Sequence, residues 1–357
     1  MTYGTVNADT LVTSTSGGIL GAGDASIMKN RIINGAMVID QRNAGAIVTI
    51  SSYALDRWQF ILSTAGKVTA QQSSTAPTGF NNSTVLTSTS AYSVGASDYF
   101  RYSQFVEGYN SADLGWGTAN AKTVTVSFWA YSSLTGSFGA SIFNNGAVRS
   151  YPFSYSIPSA NTWTYITVTI PGDTSGTWLT TNGLGLGLNF SMGAGSAYSG
   201  TANTWATAYY IQPTGSVNLV GTNGATFYIT GVQLEVGSSA TGFEYRQYGT
   251  ELSLCQRYYE VFGNGGVVSS NAGNITAQQG GFKFQVAKRA APTITHIANY
   301  SLFIPNTGSF TATTTNISNV STTGGMLVIG LSSLPATVGT AMIYQTSTDN
   351  ISASAEL

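Results

Sequence analysis

Charge is what this sequence has least of. Only 8% of its 357 residues are Asp, Glu, Lys or Arg, against roughly a quarter in an ordinary soluble domain. Residues 174–234 contain no charged side chain, and neither do residues 290–348. The net charge of −1 excludes the basic footprint that nucleic-acid binding requires. There is one cysteine, Cys255, so no internal disulfide framework can form. No apolar run reaches the ~20 residues of a bilayer span, which excludes membrane insertion by a helix. The opening MTYGTVNADT has neither a basic n-region nor an apolar h-region, so no secretory leader is expected.

The shortage of charge also removes most chemistry. The lone histidine, His296, lies in a charge-free segment with no orienting acid nearby in sequence. Zinc needs several Cys or His ligands. No GxxxxGK[ST] loop is present, and Gly183-Leu184-Gly185-Leu186-Gly187 has neither the spacing nor the following helix of a dinucleotide fingerprint. Glycoside cleavage needs only two carboxylates, for which Asp98, Glu107, Asp113 and Asp173 are the candidates. No cofactor is expected.

What is abundant is aromatic and β-forming. The chain holds 20 Tyr, 16 Phe and 6 Trp, and 42% of it is hydrophobic. Val124, Val126 and Phe128 alternate with Thr123, Thr125 and Ser127; Ile166, Val168 and Ile170 alternate with Tyr165, Thr167 and Thr169. Leu184, Leu186, Leu188 and Phe190 alternate with Gly185, Gly187 and Asn189, so the glycine face predicts close packing of a loop or another subunit. Short strands punctuated by Gly, Asn and Pro indicate a β-sandwich. One segment breaks the period: Leu252, Cys255, Tyr259 and Phe262 follow helical spacing, with Thr250 as N-cap. Cys255 then faces the core as a small hydrophobe. The expected class is all-β. It comprises an arm over residues 1–29, a jelly-roll sandwich over 30–249, a short helical joint over 250–262 and a smaller C-terminal β-sandwich over 263–357.

Nearly half of the charges fall in 24–57 and 235–260, and there the sequence resembles a known group. Lys29 to Met37 (KNRIINGAM), Asp40 to Asn43 (DQRN) and Ala54 to Trp58 (ALDRW) resemble the opening of a family of bacteriophage tail-fibre or virion-surface proteins. Phe227 to Glu235 (FYITGVQLE), Ala240 to Glu244 (ATGFE) and Cys255 to Tyr259 (CQRYY) are similar to the closing half of its jelly-roll module. Lys288 to Thr293 (KRAAPT) and the terminal Ala355-Glu356-Leu357 fit its last part. The resemblance spans most of residues 29–357.

The resemblance implies a carbohydrate-binding-like jelly roll, a homotrimer, attachment to other phage tail or head proteins by the N-terminal arm, a place on the virion, and host cell-surface glycan as ligand. The alternative is a structural virion protein, a head fibre or decoration protein without receptor binding. A glycan depolymerase is the third reading. Candidate glycan contacts are the loop aromatics Trp178 and Tyr198 and, in the charge-free C-terminal segment, Tyr300, Phe303 and Phe310. Trp205 is read as structural. Asp56, Arg57, Glu235 and Arg246 are expected to be paired structural ions. A Ca²⁺ held by Asp56, Glu235 or Glu244 is the sharper alternative for the same carboxylates.

Overall fold

The structure, a computed structural model, describes residues 11–12, 19–20, 28–263, 269–274, 277–295, 300–304, 308–311, 314–330, 341–346 and 350–357. Side chains are described for 28–261, 281–295, 317–326 and 351–357. The expected arm, residues 1–29, falls almost wholly outside them, as does His296.

The fold is all-β, with one α-helix among the described residues. The first sheet contains β1 (Ser52–Leu55), β2 (Trp58–Leu62), β5 (Tyr99–Glu107), β7 (Gly136–Asn144), β8 (Ser150–Ile157) and β10 (Leu184–Ala194), in the order β8-β7-β10-β5-β2-β1. The second contains β3 (Val68–Ser73), β4 (Ser83–Ser88), β6 (Val124–Ser132), β9 (Thr164–Ile170) and β11 (Thr226–Val236), in the order β9-β6-β11-β4-β3. Neighbouring strands in both sheets are antiparallel.

The two-residue period of the sequence places the core between the sheets. Val124, Val126, Phe128 and Ala130 of β6 point inward and are fully buried, as are Leu186, Leu188 and Phe190 of β10. Phe128 meets Phe190 edge-on across the sandwich, ring centroids 4.9 Å apart. Trp58 stacks on Tyr102 at 5.1 Å and donates its indole N–H to the Asn34 carbonyl at 3.0 Å. Each such side chain contributes about 1.5–3 kcal/mol by leaving water.

Glycine on the outer face of β10 does admit close neighbours, and they belong to this chain. A Cβ at Gly187 would lie 2.1 Å from the Phe143 ring, and one at Gly185 would lie 2.2 Å from the Ser111 hydroxyl.

The helix α1 spans Tyr248–Gln256, so Thr250 lies inside it and Gln247 precedes it without a side-chain cap. Tyr259 and Phe262 are not helical. They lie in β12 (Tyr259–Gly263), which pairs with β21 (Asn350–Ser354) from Tyr259↔Ser354 onward. That long-range pairing overrides the local helical spacing. Cys255 is buried beside Ile33, Ile39 and Tyr258, as its spacing predicted.

Beyond β12, β13 (Ser269–Asn274), β14 (Ala277–Lys283), β16 (Tyr300–Ile304), β17 (Gly308–Thr311), β18 (Thr314–Ser318), β19 (Gly324–Gly330) and β20 (Ala341–Thr346) form a sheet ordered β17-β16-β20-β13-β14-β19-β18. A smaller sheet runs β12-β21-β15, where β15 is Thr293–Thr295. No helix among the described residues is long and apolar enough to cross a membrane.

Candidate functional site

The charged motifs gather at the junction between the jelly roll and the last strands. Arg57 sits in the turn between β1 and β2 with φ 69°, packs over the Tyr258 ring at 3.6 Å and pairs with Glu356. Arg42 reaches the same carboxylate at 2.6 Å and lies 3.5 Å over Tyr259. Asp56 and Arg57 therefore do not pair with each other, because the left-handed turn separates them. Asp56 accepts the Gln41 backbone N–H at 2.6 Å and has the Arg42 Nε at 3.8 Å. Burial pushes its carboxyl up to about 6, against the lowering effect of Gln41 and Arg42.

Arg246 does pair, with Glu244 at 3.4 Å and Glu251 at 3.3 Å. Glu235 takes neutral donors instead: the Thr241 N–H at 2.8 Å, its hydroxyl at 2.7 Å and the Gln233 amide at 2.8 Å. The three carboxylates considered for Ca²⁺ are thus held by separate donors. Among the described residues no three Asp, Glu, His or Cys side chains group to hold a metal ion.

The four carboxylates considered for glycan cleavage are likewise each held by their own donors. Asp98 accepts from Gly95 N, Tyr92 OH and Ser63 Oγ. Glu107 is gripped by Arg257 at 2.6 and 2.9 Å and by the Tyr258 hydroxyl at 2.7 Å. Asp113 pairs with Arg31 at 2.6 Å and Asp173 with Arg149 at 2.5 Å. None of these partners is shared.

Trp178 and Tyr198 are not brought together. Trp178 meets Trp116 edge-on at 4.7 Å and Trp205 at 5.6 Å, beside a small cleft of about 170 Å³. Tyr198 lies against Tyr99 at 5.1 Å on the outer side of the first sheet. Tyr300 and Phe303 fall in β16 and Phe310 in β17, with their side chains outside the described residues.

The site that does assemble is the outer face of the second sheet. The alternation that buries Val126, Phe128 and Ala130 turns Trp129 and Tyr131 of β6 outward. Tyr165 of β9 pairs with Trp129, and Tyr228 of β11 pairs with Tyr131. Trp163 completes the set, just ahead of β9. Ring centroids are 5.2 Å apart for Trp129–Tyr165, 5.5 Å for Tyr131–Trp163 and 5.0 Å for Tyr131–Tyr228. Tyr165 is 46% exposed and the others are partly exposed.

The polar ends of these rings are unused. Trp58, Trp116, Trp178 and Trp205 each donate an indole N–H to a backbone carbonyl. Among the described residues the indole N–H groups of Trp129 and Trp163 and the hydroxyls of Tyr131, Tyr165 and Tyr228 make no hydrogen bond within the chain. Their outward strand neighbours Ser127, Thr167, Val85 and Thr230 are uncharged. Gly231, at φ 63° in the β11 bulge, lets Phe80 and Trp129 approach each other over the backbone. A Cβ there would lie 2.6 Å from Phe80 and 3.2 Å from Trp129.

Looking for glycan contacts among loop aromatics and in the charge-free C-terminal segment passes over this face. The signal was present, since Thr125 and Ser127 already defined the outer phase that continues to Trp129 and Tyr131.

No family model matches the chain, and no curated protein matches its sequence. Over 58% of its length it is similar to the enzymatically active domain of tailspike protein 4 from bacteriophage CBA120, at 13% identity and TM-score 0.32, and it covers only 22% of that chain. It is similar over 58% to a candidate sugar-binding protein from Bacteroides thetaiotaomicron, at 13% identity, TM-score 0.35 and all of that chain. A family 11 carbohydrate-binding module from Clostridium thermocellum, solved with a β-1,3-1,4-mixed-linked tetrasaccharide, matches over 55% of this chain and 98% of the module, at 11% identity and TM-score 0.28. Likenesses at these scores carry no argument about function.

Proposed function

We propose that this chain is a non-catalytic glycan-binding protein of a phage virion, of the tail-fibre or receptor-binding type, that holds uncharged polysaccharide on the outer face of its second sheet. One observation carries the binding: a contiguous set of partly exposed rings, with no charge among them and with free N–H and O–H groups at their edges. A sugar ring offers an apolar face of C–H groups and a rim of hydroxyls, so it can stack on such rings and hydrogen-bond to those groups together. The placement on a virion, the homotrimer and attachment through residues 1–29 rest on the sequence resemblance.

The test is titration of the full chain with neutral polysaccharides. Trp163→Ala and Tyr165→Ala should each weaken binding by about tenfold, corresponding to ~1.4 kcal/mol of lost contact, with the melting temperature unchanged. Unaltered affinity in both variants, or release of reducing sugar by the wild type, would overturn the reading.

A further inference from the structure

On the other side of the sandwich, Arg101 of β5 is an anomaly. Arg31, Arg42, Arg57, Arg149, Arg246 and Arg257 each meet a carboxylate. Among the described residues Arg289 meets no carboxylate but donates to the carbonyls of Ala355, Glu356 and Asn182. Arg101 is mostly buried, yet it forms no ion pair among the described residues. Its hydrogen bond runs from Nη1 to the Asn189 Oδ1 at 2.8 Å. Its Nε is buried without a partner, as are those of Arg31, Arg42, Arg57 and Arg246, so the missing counter-ion is what sets it apart.

Stacking does not explain it either. The guanidinium lies 5.4 Å from the Tyr209 ring centroid and 5.8 Å from that of Phe143. Arg42 and Arg57 sit at 3.5 and 3.6 Å over their own rings. The longer distances approach the ~6 Å limit of a cation–π contact.

The surroundings are tied together by hydrogen bonds and ring contacts. Asn189 is fully buried and is fixed by Ser103 Oγ at 2.7 Å, Ser141 Oγ at 3.2 Å and Tyr209 OH at 3.2 Å. Tyr99, Tyr198 and Tyr209 form a wall around the cation, Tyr198 lying 5.1 Å from Tyr99 and 6.2 Å from Tyr209. Burial lowers the guanidinium pKa, and the groups that offset this are the phenols of Tyr209, Tyr99 and Tyr198 rather than any acid. A mostly buried charge without a counter-ion is costly, and the Nη2 N–H groups, which make no hydrogen bond among the described residues, can donate to a carboxylate.

We infer that Arg101, with Tyr198 and Tyr209 beside it, forms a second binding site whose ligand is the carboxylate of an acidic sugar. The site shares no residue with the aromatic face of the second sheet and does not depend on that reading.

Titration of the full chain with glucuronate, glucose and acetate tests it. At low salt glucuronate should bind more tightly than either of the others, and added salt should weaken it. Arg101→Met should reduce glucuronate binding by about tenfold or more. Arg101→Lys keeps the charge but not the fork, so it should reduce binding less than Arg101→Met; should Arg101→Met not fold, any reduction by Arg101→Lys reads the same effect. Trp163→Ala should leave glucuronate binding unchanged, which separates this site from the aromatic face. Glucuronate binding no tighter than glucose or acetate, or unchanged in the Arg101 variants that fold, would refute the inference.

Discussion

Glu356 serves two guanidinium groups at once. The Arg57 side chain is 1% exposed and that of Glu356 8%, so the pair sits where neither charge is well solvated. Glu356→Ala leaves Arg57 and Arg42 without that carboxylate, and breaking a buried pair typically costs about 3–5 kcal/mol. Urea unfolding should show that loss, whereas Lys122→Ala, at an exposed position, should stay within about 0.5 kcal/mol of wild type. Equal stability of the two variants would mean that the junction charges are effectively solvated. Asp56 is different, because its folded carboxyl is raised from 3.8 to about 6 by burial. A raised folded pKa means that the proton stabilises the fold: its contribution is full below pH 3.8 and is lost as pH climbs through about 6. Asp56→Asn should therefore flatten the stability profile over that window. A profile unchanged from wild type between these pH values would show that Asp56 titrates normally.

At the scale of elements, Gly231 has the clearest assignment. Its positive φ disfavours a Cβ, and the crowding of Phe80 and Trp129 leaves no room for one. Gly231→Ala should cost roughly 1–3 kcal/mol and weaken glycan binding by displacing Trp129. A variant that melts like wild type and binds as tightly would show that the bulge does not shape the face. This bulge could not be read from the sequence, because it is a register shift between β11 and β6 over Thr230/Gln233. The strands themselves were legible: where apolar residues alternate, as in β6 and β10, the pattern names the side chains that meet in the core, although the other phase is largely buried there too. The helix was half legible. Leu252 and Cys255 do lie in it, but Tyr259 obeys a strand partner about a hundred residues away. The ion pairs were not legible as pairs: Arg57 is joined to Glu356 only by the fold, and Glu235 meets neutral donors among the described residues. The aromatic face follows from the same alternation that located the core, read in its other phase.

At the scale of the whole molecule, much of the charge among the described residues is drawn inward. Arg42, Arg57, Arg246 and Lys288 have side chains 14% exposed or less, and each meets an acid. The aromatic face of the second sheet carries no charge among its rings, so a neutral glycan meets it without long-range steering. Debye screening acts on separated charges and leaves stacking and short hydrogen bonds nearly untouched. Binding of the full chain to neutral polysaccharide should accordingly change less than about twofold between low and high salt, a difference of ~0.4 kcal/mol. Glucuronate at Arg101 should lose affinity over the same series, so the two faces of the sandwich become separable in one experiment. Whole-cell adsorption offers the same contrast: a host displaying neutral glycan should be bound at any salt, and one displaying uronic acids should release the protein as salt rises. A steep salt dependence for the neutral polymer, with the Arg101 variants behaving like wild type, would mean that charges other than Arg101 govern recognition and that the aromatic face is not where the glycan rests.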